Sequence, residues 1–499
     1  MPSAASLKEK NMKTTKHLSI IAIAFAFLLS SCDLLQGDGN SDPNVNEDDF
    51  LNSSNAMKAW VAGCELQLSQ AVGSYTQLLE ILSDNYYNNY SRSSNVFDQP
   101  QLLNTDDDVK ELQRWVGTLR ESVDYAFNTV AKYDNSMTQE QHFQLDCIKA
   151  YAFILGGETF TGLPVESGGE VKSWKDNLHE AATLLNQAID IAPADSDRAF
   201  VQTLLARTYY RLGDRKQAVE WATKALGSDA SFVRYAYYDG DNAVSNIAQE
   251  AIWSFWFQPL PRLDFLDPKY FQTNNSNEQR PICIAKAEEN YLILAEAAVA
   301  EGSLDRAKDY LRQLLALVGR RPVARGINDA VDNRYNGGTK HYPASTAYRV
   351  RASADDPYRS GLVHDHSSTV TNANGEAVAN YIVDIPYVSG TSVDSAMIDA
   401  ADGHDSLLEL VYLMRQEIFF AEGRRVADLG IRLPVSDVEA ANTPSASGYT
   451  DAVVPQFIPL NGEMDAFDMD EAAETVTIHY NMNRVIVTNR KTDYVVPFE

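Results

Sequence analysis

A predominantly α-helical body is the fold class that this sequence predicts, and three observations carry it. Long stretches place their apolar residues three and four positions apart, the period of a helix face. The centre of the chain repeats a pattern of alanines around a glycine, the signature of paired helices. Residues 320–405 are rich in Gly, Asn, Asp, Ser and Thr and hold only short β-like pieces. The expected architecture is helical pairs supporting an irregular loop-rich region, with minor β segments.

The chain starts with a short apolar run, Ile20–Leu29, that follows Lys13 and Lys16 and ends in Leu29-Ser30-Ser31-Cys32. Ten apolar residues are too few for a membrane-spanning helix, which needs roughly 20. A basic start, a short apolar middle and small residues before a cut describe an export signal, with Met12 as a natural start. The tetrad ending at Cys32 resembles the bacterial lipobox. That resemblance implies removal of residues 1–31 and a lipid anchor on Cys32. Several acyl chains on one terminus hold firmly where one chain binds reversibly. Residues 32–48, polar and rich in Gly, Asn and Asp, read as a flexible tether. The body is expected over 49–499.

Within the body, Ala56–Leu82 spaces Trp60, Val61, Leu68, Val72, Tyr75 and Leu79 on one helical face. Val109–Tyr133 and Gln139–Leu155 repeat that pattern. The text LARTYYRLGDRKQAVEWATKAL places Ala206, Gly213, Ala218, Ala222 and Ala225 where two antiparallel helices meet closely, with Asp214 as a cap for the second. It resembles a tetratricopeptide unit. A second copy runs through Leu294-Ala295, Gly302, Ala307 and Leu311, and a half copy through Ala181, Ala188 and Pro193. The tetratricopeptide-like helices are expected over about 141–318 and a loop-rich insertion over about 320–405. Ala251–Phe257 is aromatic and reads as a buried strand or extended segment, with Trp253 and Trp256 in the core. Helix returns at Ser406–Leu429. Val453–Leu460, Glu474–Asn481, Arg484–Thr488 and Tyr494–Phe498 read as short β-like or extended pieces.

Charge limits the function. The chain carries 69 acidic and 42 basic residues, a formal −27, and loss of residues 1–31 takes this to −30. Such a surface repels nucleic-acid backbones and anionic lipid, so nucleic-acid partners are excluded. Beyond Cys32 the chain has Cys64, Cys147 and Cys283, each in a helical apolar context that suits a buried free thiol.

Four stretches together are similar to the SusD/RagB family of outer-membrane nutrient-uptake lipoproteins in Bacteroidota. They are the lipobox at Cys32 and the LARTYYRLGDRKQAVEWATKAL pair. The third is Arg280-Pro281 followed by Glu289-Asn290-Tyr291-Leu292-Ile293-Leu294-Ala295-Glu296-Ala297. The fourth runs from Arg415-Gln416-Glu417 through Glu422-Gly423-Arg424-Arg425 to Asp428-Leu429. The chain departs from the family at Ile431, where an arginine is usual, and in LVGRRPVARGIND after the second copy. The resemblance implies cell-surface binding of an oligosaccharide, or a peptide, and delivery to a SusC-like TonB-dependent transporter, with the body facing the exterior. The alternative is a tetratricopeptide-like scaffold lipoprotein for protein assembly at the outer membrane.

No catalytic chemistry is expected. Glu417 and Glu422 with Arg415 and Arg425 read as an ion-pair ladder, Glu422 to Arg425 and Arg425 to Asp428 each standing three apart. His364-Asp365-His366 lacks a third metal ligand, and the acidic pieces near 38 and 103–108 lack EF-hand spacing. They read as linker and helix start. No cofactor is implied, and structural calcium has no specific support.

Ligand contacts are therefore expected from loops. Sugars are recognised by aromatic faces ringed with amide and charged hydrogen-bonding groups. The loop after the first long helix offers Asp84, Asn85, Tyr86, Tyr87, Asn89, Tyr90 and Arg92, and the glycine-rich loop 333–342 offers Tyr335, His341 and Tyr342. For both loops the alternative is a connector whose rings pack inward. One prediction concerns the anchor. Replacing Cys32 with Ser is expected to release the chain from membranes, and intact-mass analysis of membrane-extracted protein is expected to find lipid on Cys32. An unlipidated mature mass would refute the anchor.

Overall fold

The helices begin where the sequence supplies caps. In the computed structural model, which describes residues 47–88, 95–242, 244–253, 256–273, 277–330, 341–493 and 495–499, the chain falls into two units. The first, residues 1–54, contains a helical turn at Glu47–Leu51. The second, Asn55–Glu499, contains every element that follows. Cys32 and residues 33–46 of the tether lie outside the described residues, and its last two, Glu47 and Asp48, begin that helical turn.

Helix α1 spans Ala56–Ile81, α2 Asp107–Tyr125 and α3 Gln139–Thr159. Asp106 caps α2 by accepting from the Asp108 N–H, so the acidic text at 103–108 is a helix start. Thr138 and Gln141 satisfy each other's backbone N–H groups in a capping box at α3. A single π turn, Ala126–Val130, continues α2 to Tyr133.

Helices α4 (Trp174–Ala188), α5 (Asp195–Arg211) and α6 (Arg215–Ser228) follow, and later α7 (Ile247–Trp253), α8 (Glu288–Ala300) and α9 (Leu304–Val318). The pairs α5/α6 and α8/α9 are closed alike. Gly213 at φ +74° and Gly302 at φ +71° occupy the left-handed region that an L side chain resists. The residues after them complete the turn: Asp214 donates to the Tyr209 carbonyl at 2.9 Å and Ser303 to the Ala298 carbonyl at 2.8 Å. Asp214 also caps α6 through the Gln217 N–H at 3.0 Å. Ala206, Ala218 and Ala222 are fully buried against Tyr210, Ile293 and Leu294, which brings the second pair onto the first. The small side chains let the backbones approach. The paired-helix reading of the sequence therefore holds.

Three elements differ from expectation. Ala251–Phe257 is not one extended piece: its first residues end α7, and strand follows only at Phe257–Pro259. The helix expected over Ser406–Leu429 is broken into α10 (His404–Ile418) and a short α11 (Arg425–Asp428), because Ala421 (φ +57°) and Gly423 (φ +67°) turn the chain between them. Arg484–Thr488 is helical, within α12 (Met482–Thr488), where Asn481 caps the first turn by accepting from the Arg484 N–H. Its β-branched run suggested strand, but packing against α10 overrides that propensity.

Strands among the described residues are short and form small separate sheets. Those that bear on the site are β1 (Tyr86–Asn88), antiparallel to β2 (Phe257–Pro259), and β3 (Arg349–Arg351), parallel to β5 (Thr475–Ile478), which pairs on its other side with β4 (Phe467–Asp470). Cys64, Cys147 and Cys283 are free and buried, and burial pushes each thiol well up, Cys64 and Cys283 to about 12. Trp253 is core as expected.

Candidate functional site

The segment from Arg415 to Asp428 organises the centre of the molecule. Its charged residues form the structural ion pairs expected and tie it to neighbouring helices and loops, while the pairs three apart, Glu422 with Arg425 and Arg425 with Asp428, are not among them. Glu422 takes Lys269 at 2.5 Å and Lys286 at 2.6 Å. Arg425 grips Asp84 in two bonds, 2.6 and 3.0 Å. Asp428 receives Arg415 of α10 and Arg211 of α5, both at 2.9 Å. Arg424 reaches Glu289 of α8 at 2.7 Å, which Arg207 of α5 also holds at 2.7 Å. The partners come from distant parts of the chain because the turn at Ala421–Gly423 fans the side chains outward. The one pair within the segment is Arg415 with Asp428, thirteen residues apart.

The fields are strong because these side chains are buried. Burial pushes the Asp428 carboxyl up, yet Arg415 and Arg211 overcome it and hold the group at about 2. Glu289 is held well below the carboxylate range against burial by Arg207 and Arg424. Two other acids lack such support. Burial pushes Glu80 to about 7, and Glu296 likewise to about 7. One Glu296 oxygen accepts from the Tyr210 hydroxyl at 2.7 Å, and the other meets no donor among the described residues, which suits a protonated acid.

This network holds the first candidate loop. Gln416 donates to Asp84 at 2.8 Å and to Asn85 at 3.0 Å, and Asn85 donates to Glu80 at 2.8 Å. Tyr86 donates to Asp267 at 2.7 Å and stacks on Phe420 with 4.8 Å between centroids. Tyr87 donates to Gln258 across the β1·β2 ladder at 2.9 Å. Asp84, Asn85, Tyr86 and Tyr87 are 2%, 0%, 0% and 1% exposed. The expectation that these four are surface contacts is corrected: they anchor the loop from inside. The alternative of inward-packing rings holds for Tyr86 and Tyr87, and the partners that decide it, Asp267 and Gln258, lie far along the chain. Asn89, Tyr90 and Arg92 lie outside the described residues.

The second loop ends beside the first. Tyr335 lies outside the described residues. His341 is exposed and pairs with Glu471 at 2.8 Å. Tyr342, expected as a contact, is buried and donates to Asp264 at 3.2 Å. Asp264 also accepts from the His364 N–H at 2.7 Å and faces His366 Nε2 at 2.9 Å. Burial raises its carboxyl, but the two histidines win and hold it at about 2. The ring of Phe467 on β4 lies 5.8 Å from Tyr87 and 6.3 Å from Tyr342. One aromatic ring thus touches the stems of both loops picked out by the sequence. Among the described residues no three His, Cys, Asp or Glu side chains are grouped to hold a metal, and no helix is long and apolar enough to cross a membrane.

Comparison with known proteins bears on the fold. The tetratricopeptide repeat family matches residues 201–232, the α5/α6 pair. No curated protein matches the chain. Among solved structures, a SusD superfamily protein from Bacteroides vulgatus superposes with a TM-score of 0.50 at 11% identity, over 80% of this chain and 100% of that one. A putative sugar binding protein from Bacteroides vulgatus gives 0.50 at 12% identity, over 79% and 97%. At these identities the likeness establishes a shared fold.

The perturbed acids set a pH dependence. Glu80 and Glu296 keep a proton in the folded state between the ordinary 4.5 and about 7 that the unfolded chain has lost. Stability from them is full below 4.5 and falls as pH rises through 7, by on the order of 3 kcal/mol each. Asp428 and Asp264 act oppositely: their contribution is full above 3.8 and is lost as pH falls to about 2. Urea denaturation is expected to show greater stability at pH 5 than at pH 8, with Glu296→Gln flattening that fall and sparing the acid limb. A wild-type profile that rises from pH 5 to 8 would contradict these assignments.

Proposed function

We propose that this chain is a non-catalytic lipoprotein of the outer cell surface that captures an oligosaccharide, or a peptide, and passes it to a partner TonB-dependent transporter. Residues 32–48 serve as the tether and 49–499 as a single ligand-binding body. The observation that carries the reading is the junction at Phe467. Two loops far apart in sequence, both rich in tyrosine and hydrogen-bonding side chains, start from adjoining, rigidly held stems. A ligand surface needs such a base, since contacts pre-positioned by packing lose less conformational freedom on binding. The fold shared with a putative sugar binding protein is consistent with a glycan. Capture and release need only contact, and the acids of the core are committed to ion pairs and hydrogen bonds.

In this reading Asn89, Tyr90, Arg92, Tyr335 and His341 meet the ligand, and Asp84 to Tyr87 with Tyr342 hold them in place. The net −30 of the chain after loss of residues 1–31 favours neutral or cationic ligands over polyanionic glycans.

A glycan array followed by calorimetry on the best hit tests this. Tyr90→Ala with Tyr335→Ala is expected to weaken binding by about 1–3 kcal/mol while leaving the melting temperature unchanged. Full affinity in that variant would remove the loops from the site. Preference for peptides over every glycan would assign the ligand to the other class.

A further inference from the structure

A second feature lies apart from the two loop stems. A cavity of about 350 Å³ opens between β3, α10 and the segments around 356–362 and 392–401. Its rim is exposed at Pro357 and Ser406, and its depth is lined by buried Val350, Leu362 and Leu410. Leu413 of α10 forms part of the wall. This is the size range and the largely apolar lining of small-molecule sites.

At the depth of the cavity is Arg262, only 7% exposed. Its guanidinium makes one side-chain hydrogen bond, to Gln416, and no carboxylate among the described residues stands within ion-pair distance. The carboxylates that act on it from further away are already engaged. Asp84 is held by Arg425, and Glu417 accepts from Thr391 and from the Ser392 N–H and hydroxyl at 2.5–2.7 Å. Among the described residues the side chain of Arg359, also on the lining, bonds only to Ser392, and it repels Arg262. The two remaining acids of the lining, Asp356 and Glu409, share Arg484 and Asn481.

Asp356 and Glu409 thus share one guanidinium and Glu417 is held by hydroxyls and an N–H, while among the described residues neither Arg262 nor Arg359 has an ion-pair partner. Burying an arginine without a counter-ion costs several kcal/mol in general, which an anion arriving in the cavity would offset. Burial, with Arg425 and then Arg359 adding to it, pulls the Arg262 guanidinium below its ordinary value despite the opposing pull of Asp84 and Glu417. A planar guanidinium fork matches a carboxylate in two parallel bonds. Glu417, Asp356 and Glu409 nearby disfavour a second negative charge.

We propose that this cavity is a binding site for a small monocarboxylate with an apolar body, its carboxylate on Arg262 with Arg359 alongside and its apolar part against Leu410 and Leu413. Two sources share that chemistry: a fatty acid, and an acylated amino acid or peptide terminus.

Titration calorimetry of the full mature chain with octanoate and with N-acetylphenylalanine distinguishes the sources, the tighter binder naming the class. Octanamide serves as the neutral control. At least one acid is expected to bind, with octanamide at least tenfold weaker than octanoate if the fatty acid is preferred. Arg262→Gln is expected to weaken the bound acid at least tenfold. Leu413→Trp, which fills the cavity from a partly exposed wall and leaves Arg262 intact, is expected to abolish binding. Circular dichroism melting confirms that each variant is folded. Failure of both acids to bind overturns the proposal. So does equal binding of octanoate and octanamide where octanoate is the better acid, or binding unchanged in Leu413→Trp.

Discussion

The structure depends on one constraint: a set of buried carboxylates and cations that must all find one another at once. The turn at Ala421–Gly423 lies at its centre. Gly423 donates to Glu80 at 2.7 Å, and a Cβ there would lie 3.1 Å from the Thr76 Cα of α1. From that turn, Glu422, Arg424, Arg425 and Asp428 reach Lys269 and Lys286, Glu289, Asp84, and Arg415 with Arg211. Buried pairs of this kind add little net stability over apolar packing, but breaking one leaves a bare charge in a dry interior. Their effect here is on geometry. They fix α5 and α8 against α10, and they fix the start of the first loop against all three.

That link connects the core to the surface. Asp84 is both the counter-ion of Arg425 and the third residue beyond the end of α1. The loop therefore leaves the body from a point set by ion pairing, with Tyr86 and Tyr87 sealed behind it. The second loop reaches the same region through Tyr342, Asp264 and the two histidines, and Phe467 joins them. The cavity that ends at Arg262 draws on the same helix: Gln416 serves both Asp84 and Arg262.

Much of the scaffold was legible in the sequence because its signals are local. Gly213 with Asp214, and Gly302 with the alanines behind it, state a helix pair in about twenty residues each. The capped starts at Asp106 and Asp214 follow from side-chain chemistry alone. What was not legible is what depends on sequence-distant partners. Arg425 looks like a helix-surface charge until Asp84, 341 residues away, is placed against it. Asp84 to Tyr87 look like an exposed polar aromatic loop until Gln416, Asp267 and Gln258 close over them. Val485-Ile486-Val487 look like strand until the Asn481 cap and α10 make them helix. Arg262, one residue in a proline-flanked connector, carried no signal at all.

A double-mutant cycle on Arg425 and Asp84, read by chemical denaturation, tests the central claim most directly. Arg425→Met or Asp84→Leu alone leaves a buried unpaired charge and is expected to cost about 3–5 kcal/mol. Both together remove the pair, and most of that loss is expected to return. A double variant that loses the sum of the two single losses would show that the charges do not depend on each other, and the account would be wrong.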